Sequence, residues 1–231
     1  MSVENGDIPD HRMSAALKYL HQLQTMLRRL EESQMQAITQ AGNLCADALI
    51  AGRRIYVSPK GSHCLHTELT GRAGGFVILK VLTEGEAELG AGDVVIIGTN
   101  AGFDPSTVGL AVRCRALSVY TIAITNVVFE QSIKSVDPSG KTLHQVADIC
   151  IDQGGMSGDA VLRFSELEVP IIPSSGATSI AAAWMIFAAA AERMIAAGKL
   201  PLVYQAIQLP GATEHNLRAQ AEATGSGLGY L

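Results

Sequence analysis

Residues able to pass protons gather at two places in this chain. In Gly61-Ser62-His63-Cys64-Leu65-His66-Thr67-Glu68, two imidazoles and a carboxylate fall close together, and in the tail Glu214-His215-Asn216 sets a carboxylate, an imidazole and an amide side by side. A carboxylate can take a proton that an imidazole then passes on, so both places suit general acid–base chemistry. Glu68 is the leading base, with His63 and His215 as proton shuttles or ligands. Blander roles stand beside these. His63 can cap its loop, Glu68 can form a surface pair, and His66, three residues after His63, suits a solvated helix face. Glu214-His215-Asn216 can equally be a helix start capped by Thr213 or Glu214.

A second set of residues suits binding. Asp93-Val94-Val95-Ile96-Ile97-Gly98 runs into Thr99-Asn100-Ala101-Gly102, an apolar run that stops in small hydrogen-bonding residues. Earlier, Arg54-Ile55-Tyr56-Val57 runs into Ser58-Pro59-Lys60-Gly61-Ser62. Both read as buried parallel strands ending in ligand loops, which makes Gly61, Ser62, Thr99, Asn100 and Gly102 candidate contacts. Pro173-Ser174-Ser175-Gly176-Ala177-Thr178 opens a long apolar stretch. Ser174, Ser175 and Thr178 there offer hydroxyls and N–H groups to an anion, unless a serine merely caps the helix. Gly154 to Asp159 suits a lid or a plain connector. The chain holds no Gly-Xaa-Ser-Xaa-Gly elbow, Walker loop or dinucleotide fingerprint, so hydrolase, phosphotransferase and dehydrogenase readings have no residues behind them.

The elements that must position these residues follow from periodicity. Leu17, Leu20, Leu23, Leu27 and Leu30 give one helical stripe, and Met35, Ile38, Ala41, Leu44, Cys45, Ala48 and Leu49 another, so two helices precede the first strand. Helices are expected after His63, after Asp104-Pro105 and from about Ala177 to Ala197. Further strands are expected at Phe76 to Leu82, Ser118 to Thr125 and Ala147 to Asp152, and the stretch from Gly155 to Pro173 reads as irregular. Alternation of strands and helices predicts an α/β domain of three layers with a five-stranded parallel sheet. Residues 1–52 form N-terminal helices packing on the domain or a subunit interface, 53–217 the α/β domain, and 218–231 a flexible tail.

Composition narrows the function classes. Of the 231 residues 48% are hydrophobic and 17% charged, which favours burial of apolar surface between subunits. The net charge of −5 comes without a basic run, so nucleic acid is not an expected partner. Met1 to Asp10 does not read as a signal peptide, and the apolar stretch Ser179 to Ala191 is too short to span a bilayer, so no membrane partner is expected and the cytoplasm is the expected compartment. Cys45, Cys64, Cys114 and Cys150 form no CxxC pair, which favours reduced thiols.

The two strand–loop units, the segment Gly61 to Gly75, the Gly-Thr-Asn-Ala-Gly loop and the late Glu214-His215-Asn216 together resemble the sugar isomerase (SIS) domain family, in its phosphoheptose-isomerase-like branch, over roughly Glu31 to Leu217. The resemblance implies a flavodoxin-like five-stranded sheet, a homodimer or homotetramer, and a sugar ligand held at strand-end loops. It also implies aldose–ketose isomerisation through an enediol, or in a non-catalytic relative sugar or sugar-phosphate sensing. The chain departs from the family in two ways. Ala101 stands where a hydroxyl is usual, and Glu84 to Gly92 is a short connector where relatives carry an insertion. Zinc-using relatives place His and Glu one helical turn apart, whereas His63, His66 and Glu68 are spaced by three and five, so neither a metal nor another cofactor is assigned.

Overall fold

A computed structural model of the protein describes residues 14–61, 65–83 and 89–228; His11, Ser62, His63, Cys64 and most of the 84–92 connector lie outside them. In chain order the elements are α1 (Ala15–Arg29), a π-helical turn (Leu30–Gln34), α2 (Met35–Ile50), β1 (Ile55–Val57), α3 (Leu65–Leu69), β2 (Leu79–Val81), β3 (Val94–Gly98), α4 (Pro105–Ala116), β4 (Tyr120–Thr125), α5 (Val127–Ser132), α6 (Leu143–Val146), β5 (Ile149–Asp152), β6 (Ala160–Leu162), β7 (Ile171–Pro173), α7 (Ser175–Ala196) and α8 (Ala212–Gly225).

β1 to β5 form one parallel sheet in the order β2-β1-β3-β4-β5. Strand side chains alternate between two cores because successive residues face opposite sides of the pleat. Ile55, Val57, Val94, Ile96, Ile122 and Ile124 enter a core closed by α2, α3, α7 and α8, while Tyr56, Val95, Ile97 and Ala123 enter one closed by α4 and α6. Both faces are therefore covered, which is why β3 reads as an unbroken apolar run. The three-layer α/β fold with a five-stranded parallel sheet and helical N-terminus is as the sequence led one to expect.

Several boundaries differ from expectation. The run at Phe76 is divided: Leu79–Val81 pair with β1, but the residues before them pair with a later segment, through a Phe76–Val203 antiparallel bridge and a 2.9 Å bond from Val77 N–H to the Leu202 carbonyl. The stretch read as irregular contains the antiparallel pair β6–β7. The expected flexible tail is helical up to Gly225: α8 buries Ala219 and Ala223, and Arg54 donates to the Gly227 carbonyl from both Nε and Nη2, at 3.3 and 3.2 Å. Its polar sequence hides a narrow stripe of alanines that packs on the domain.

α7, with 22 residues, is long and apolar enough to cross a bilayer, contrary to the shorter span read from the sequence. Its face of Ala182, Ala183, Ile186, Phe187 and Ala190 is spent instead on the core shared with α2. The close approach of these helices is fixed at Gly42, where a Cβ would stand 2.6 Å from Ala189 Cβ.

Candidate functional site

The chain leaves β1 toward β2 on one side and reaches β3 on the other, so the sheet order reverses between β1 and β3. Loops diverge at such a point and leave a crevice at the carboxyl ends of the strands. A cavity of about 530 Å³ opens there, lined by Gly61, Thr99, Asn100, Ala101, Phe103, Asp104, Ser106 and Phe129. Its floor depends on backbone proximity. Gly61 has φ +108°, and a Cβ there would overlap the Gly98 carbonyl oxygen. Only glycine lets the loop after β1 lie against the end of β3.

Of the expected binding residues, Gly61, Thr99 and Asn100 line this cavity. Thr99 is buried and its Oγ1 accepts a 3.4 Å bond from the Ala101 N–H. Asn100 Oδ1 accepts from Gln153 Nε2 at 3.4 Å, and Gln153 Oε1 in turn accepts from the Ser179 hydroxyl, so a buried chain of amides and hydroxyl ties the loop after β3 to α7. Gly102 does not reach the cavity. Its N–H donates at 3.1 Å to Glu130 Oε1, and a Cβ there would overlap Leu143 Cβ.

Glu130 is the residue that sequence reading missed. It lies on α5, in a segment read as loop, and is 1% exposed. Beyond Gly102 its carboxylate accepts from the Thr125 hydroxyl, from His144 N–H at 3.2 Å and from His144 Nδ1 at 2.6 Å. A buried carboxylate surrounded by donors is stable only as a complete set, and this set ties the cavity loop, β4, α5 and α6 together. Cys150 on β5 registers the local charge: burial first, then Glu130 and Asp152, pushes its thiol up to about 12.

Asp104, at the cavity wall, caps α4. Its Oδ1 accepts from Ser106 N–H at 3.0 Å, Thr107 N–H at 3.1 Å and the Ser106 hydroxyl, and its Oδ2 from the Thr107 hydroxyl at 2.6 Å. Burial acts to raise this carboxyl, but these donors outweigh it and hold it below its ordinary 3.8. The Asp-Pro start of α4 was legible in the sequence. That the aspartate would also wall a cavity was not.

The anion cradle expected at the start of α7 exists, but the protein fills it. Asp159 Oδ1 accepts from Ser174 N–H at 3.0 Å and Ser175 N–H at 2.8 Å, and its Oδ2 from the Ser175 hydroxyl at 2.7 Å. Thr178 is fully buried and donates to the Ser175 carbonyl at 3.2 Å. Thus Ser174, Ser175 and Thr178 serve the helix start, because a carboxylate fifteen residues upstream of Ser174 reaches the donors first.

The proton-handling residues are less tightly gathered than their sequence clustering suggested. Glu68 pairs with Arg72 at 3.1 Å across one turn and is 29% exposed. His66, on the same short helix, has a buried Nδ1 without a hydrogen-bond partner, whereas the sequence gave it a solvated face. His215 Nε2 lies 2.9 Å from the Val203 carbonyl oxygen, and Glu214 is exposed on α8. Neither belongs to the cavity wall. Ser62 and His63 lie outside the described residues. Among the described residues no group of three or more His, Cys, Asp or Glu stands ready to hold a metal ion.

Comparison with known proteins agrees with this architecture. A family model described as SIS domain matches residues 18–91, from α1 to the connector before β3. A UPF0309 protein of Listeria innocua is 28% identical over 218 residues, covering 83% of this chain and 88% of that one. Another from Halalkalibacterium halodurans is 27% identical over 225 residues, covering 86% and 90%. Among solved structures, a phosphoheptose isomerase from Francisella tularensis superposes with a TM-score of 0.51 at 14% identity, over 77% of this chain and 97% of that one. A protein provisionally assigned as a phosphosugar isomerase, from Silicibacter pomeroyi, gives 0.50 at 16% identity over 73% of this chain. It covers 47% of that protein, so this chain spans about half its length.

Proposed function

On this SIS-domain fold, we propose that the chain is an aldose–ketose isomerase acting on a sugar or anionic sugar derivative through an enediol. The observation that carries the reading is the cavity at the β1–β3 reversal, bounded by two glycine-dependent loops at the place where α/β sheets bind small molecules. In this reading Glu68 takes the proton from the carbon beside the carbonyl and returns it to the neighbouring carbon. His63 and His215 move the accompanying proton between the two oxygens. Gly61, Ser62, Thr99 and Asn100 hold the sugar hydroxyls.

His215 lies on α8, away from the cavity wall, so the working unit in this reading is a homodimer or homotetramer in which a second chain presents it. Exposed Leu200, Ile207, Leu209 and Leu217 around α8 support such an assembly. We place this activity in the cytoplasm.

The test is proton exchange in deuterated water, followed by NMR on a panel of aldoses, sugar phosphates and sugar sulfonates. Incorporation of deuterium beside the carbonyl of at least one sugar, abolished in Glu68→Gln, is the expected result. A panel in which no sugar exchanges would reject the isomerase.

One observation favours a second reading, a non-catalytic sugar sensor: within one chain Glu68 is engaged by Arg72 and His215 by a backbone carbonyl. A ligand that binds the wild type and Glu68→Gln equally, and is never converted by either, would select the sensor.

A further inference from the structure

We propose that the sugar taken by the β1–β3 cavity carries no phosphate: the ligand class is an uncharged aldose or ketose. The inference rests on the reading of this cavity as a sugar site and deepens it.

A phosphate group carries up to two negative charges and is held by unpaired backbone N–H groups, by helix N-termini or by Lys and Arg. The carboxyl edge of this sheet has three places built in that way, and each holds one of the protein's own carboxylates. At the start of α4, Asp104 takes the N–H groups of both Ser106 and Thr107. In the loop after β3, Glu130 takes the N–H of Gly102. The remaining loop donors turn inward, with Thr99 N–H on the Ile124 carbonyl at 3.0 Å and Phe103 N–H on the Ala101 carbonyl at 2.9 Å. At the start of α7, Asp159 takes Ser174 and Ser175. One self-capped helix is ordinary; three self-filled anion cradles around one crevice leave no place for a phosphate to be desolvated.

The charge of the wall points the same way. Among its described residues the only ionisable side chain is Asp104, and it is an acid. The adjoining Ser62-His63-Cys64 adds one imidazole and no Lys or Arg, and the nearest cation in sequence is Lys60, beside Gly61. The wall also has positive features for a neutral polyol. Two aromatic residues, Phe103 and Phe129, offer apolar surface to the C–H faces of a pyranose or furanose, and Thr99, Asn100 and Ser106 supply short polar groups for its hydroxyls.

The experiment is calorimetric titration of the full chain with matched pairs: glucose, mannose, fructose, ribose and xylulose, each beside its terminal phosphate ester. Inorganic phosphate is added separately in thermal unfolding. The expected result is that at least one neutral sugar binds and its ester binds about tenfold more weakly. In unfolding, roughly 10 mM inorganic phosphate is expected to leave the Tm where it was at matched ionic strength. An ester that binds as tightly as its neutral partner or more so, a Tm raised by phosphate, or a panel in which no neutral sugar binds would each overturn the proposal. Binding is read without turnover. A neutral sugar that binds and never exchanges its proton therefore sinks the isomerase reading and leaves the ligand class standing.

Discussion

Over β3, β4 and β5 the polar side chains at the carboxyl edge answer one another inside the chain, with Glu130 bridging Gly102, Thr125 and His144, and Gln153 bridging Asn100 and Ser179. Over β1 and β2 the pairing is looser: Glu68 meets Arg72 at the surface and His66 keeps a buried Nδ1 unpartnered. The first half is a scaffold whose geometry is over-determined. The second carries the residues whose chemistry requires a proton to move, and groups locked into a full set of hydrogen bonds cannot readily do that. The same division explains why glycines differ in meaning along the edge: Gly102 is hemmed in by Leu143 and Glu130, while Gly71 has φ +71° but open space where a Cβ would go.

The sharpest way to break the contrast is to remove Glu130. Glu130→Ala strips a fully buried carboxylate from four donors and leaves them unpaired, so a loss of about 3–5 kcal/mol in urea unfolding is expected. A loss comparable to that of an exposed residue would show that the held half is not held by this group. Next come paired glycine substitutions. Gly102→Ala must displace Leu143 or Glu130 and is expected to cost about 3 kcal/mol, whereas Gly71→Ala meets only backbone strain, about 1 kcal/mol. Equal costs at the two sites would erase the difference between the halves.

Asp159 extends the scaffold to α7. Asp159→Ala removes the acceptor of two N–H groups and a hydroxyl at the helix start, and a loss of about 1–2 kcal/mol is expected from thermal unfolding. Asp104 gives the matching effect in pH. Its folded carboxyl is held below the ordinary 3.8, so its contribution is fully present above that value and is lost as pH falls through it toward the folded value. Asp104→Asn is therefore expected to flatten the acid limb of the stability curve below about pH 4, and a limb of unchanged slope would count against the capping role.

How much of this was legible in the sequence depended on how far apart the interacting residues lie. β3 and β4 were readable because Val94 to Ile97 and Tyr120 to Thr125 are β-branched or apolar runs long enough to show their type. The cavity loop was readable because Gly98 to Gly102 is local. The three-residue strands β6 and β7 carry no period, and the π-helical turn at Leu30–Gln34 sits inside a continuous helical pattern, so neither announces itself. The site was half legible for the same reason. Ser174 and Ser175 declare a cluster of donors, but nothing local says that Asp159 will satisfy it. Ala101 declares a missing hydroxyl, but not that the next N–H belongs to Glu130, twenty-eight residues on.

The smallest stability effect is expected where the functional effect is largest. Glu68 and Arg72 form an i,i+4 pair with side chains 29% and 57% exposed, so each gains little from the other in water. Glu68→Gln should therefore shift stability by no more than about 0.5 kcal/mol, within the range of surface substitutions. If Glu68 is the base, deuterium exchange beside the sugar carbonyl disappears in the same variant while ligand affinity stays within about threefold of wild type. Arg72→Gln separates pairing from catalysis. It removes the same ion pair and keeps the carboxylate, so it is expected to retain exchange. Loss of exchange in both variants together would make the pair, and not the carboxylate, the functional unit, and would mean that the looser half of the edge is as interlocked as the other.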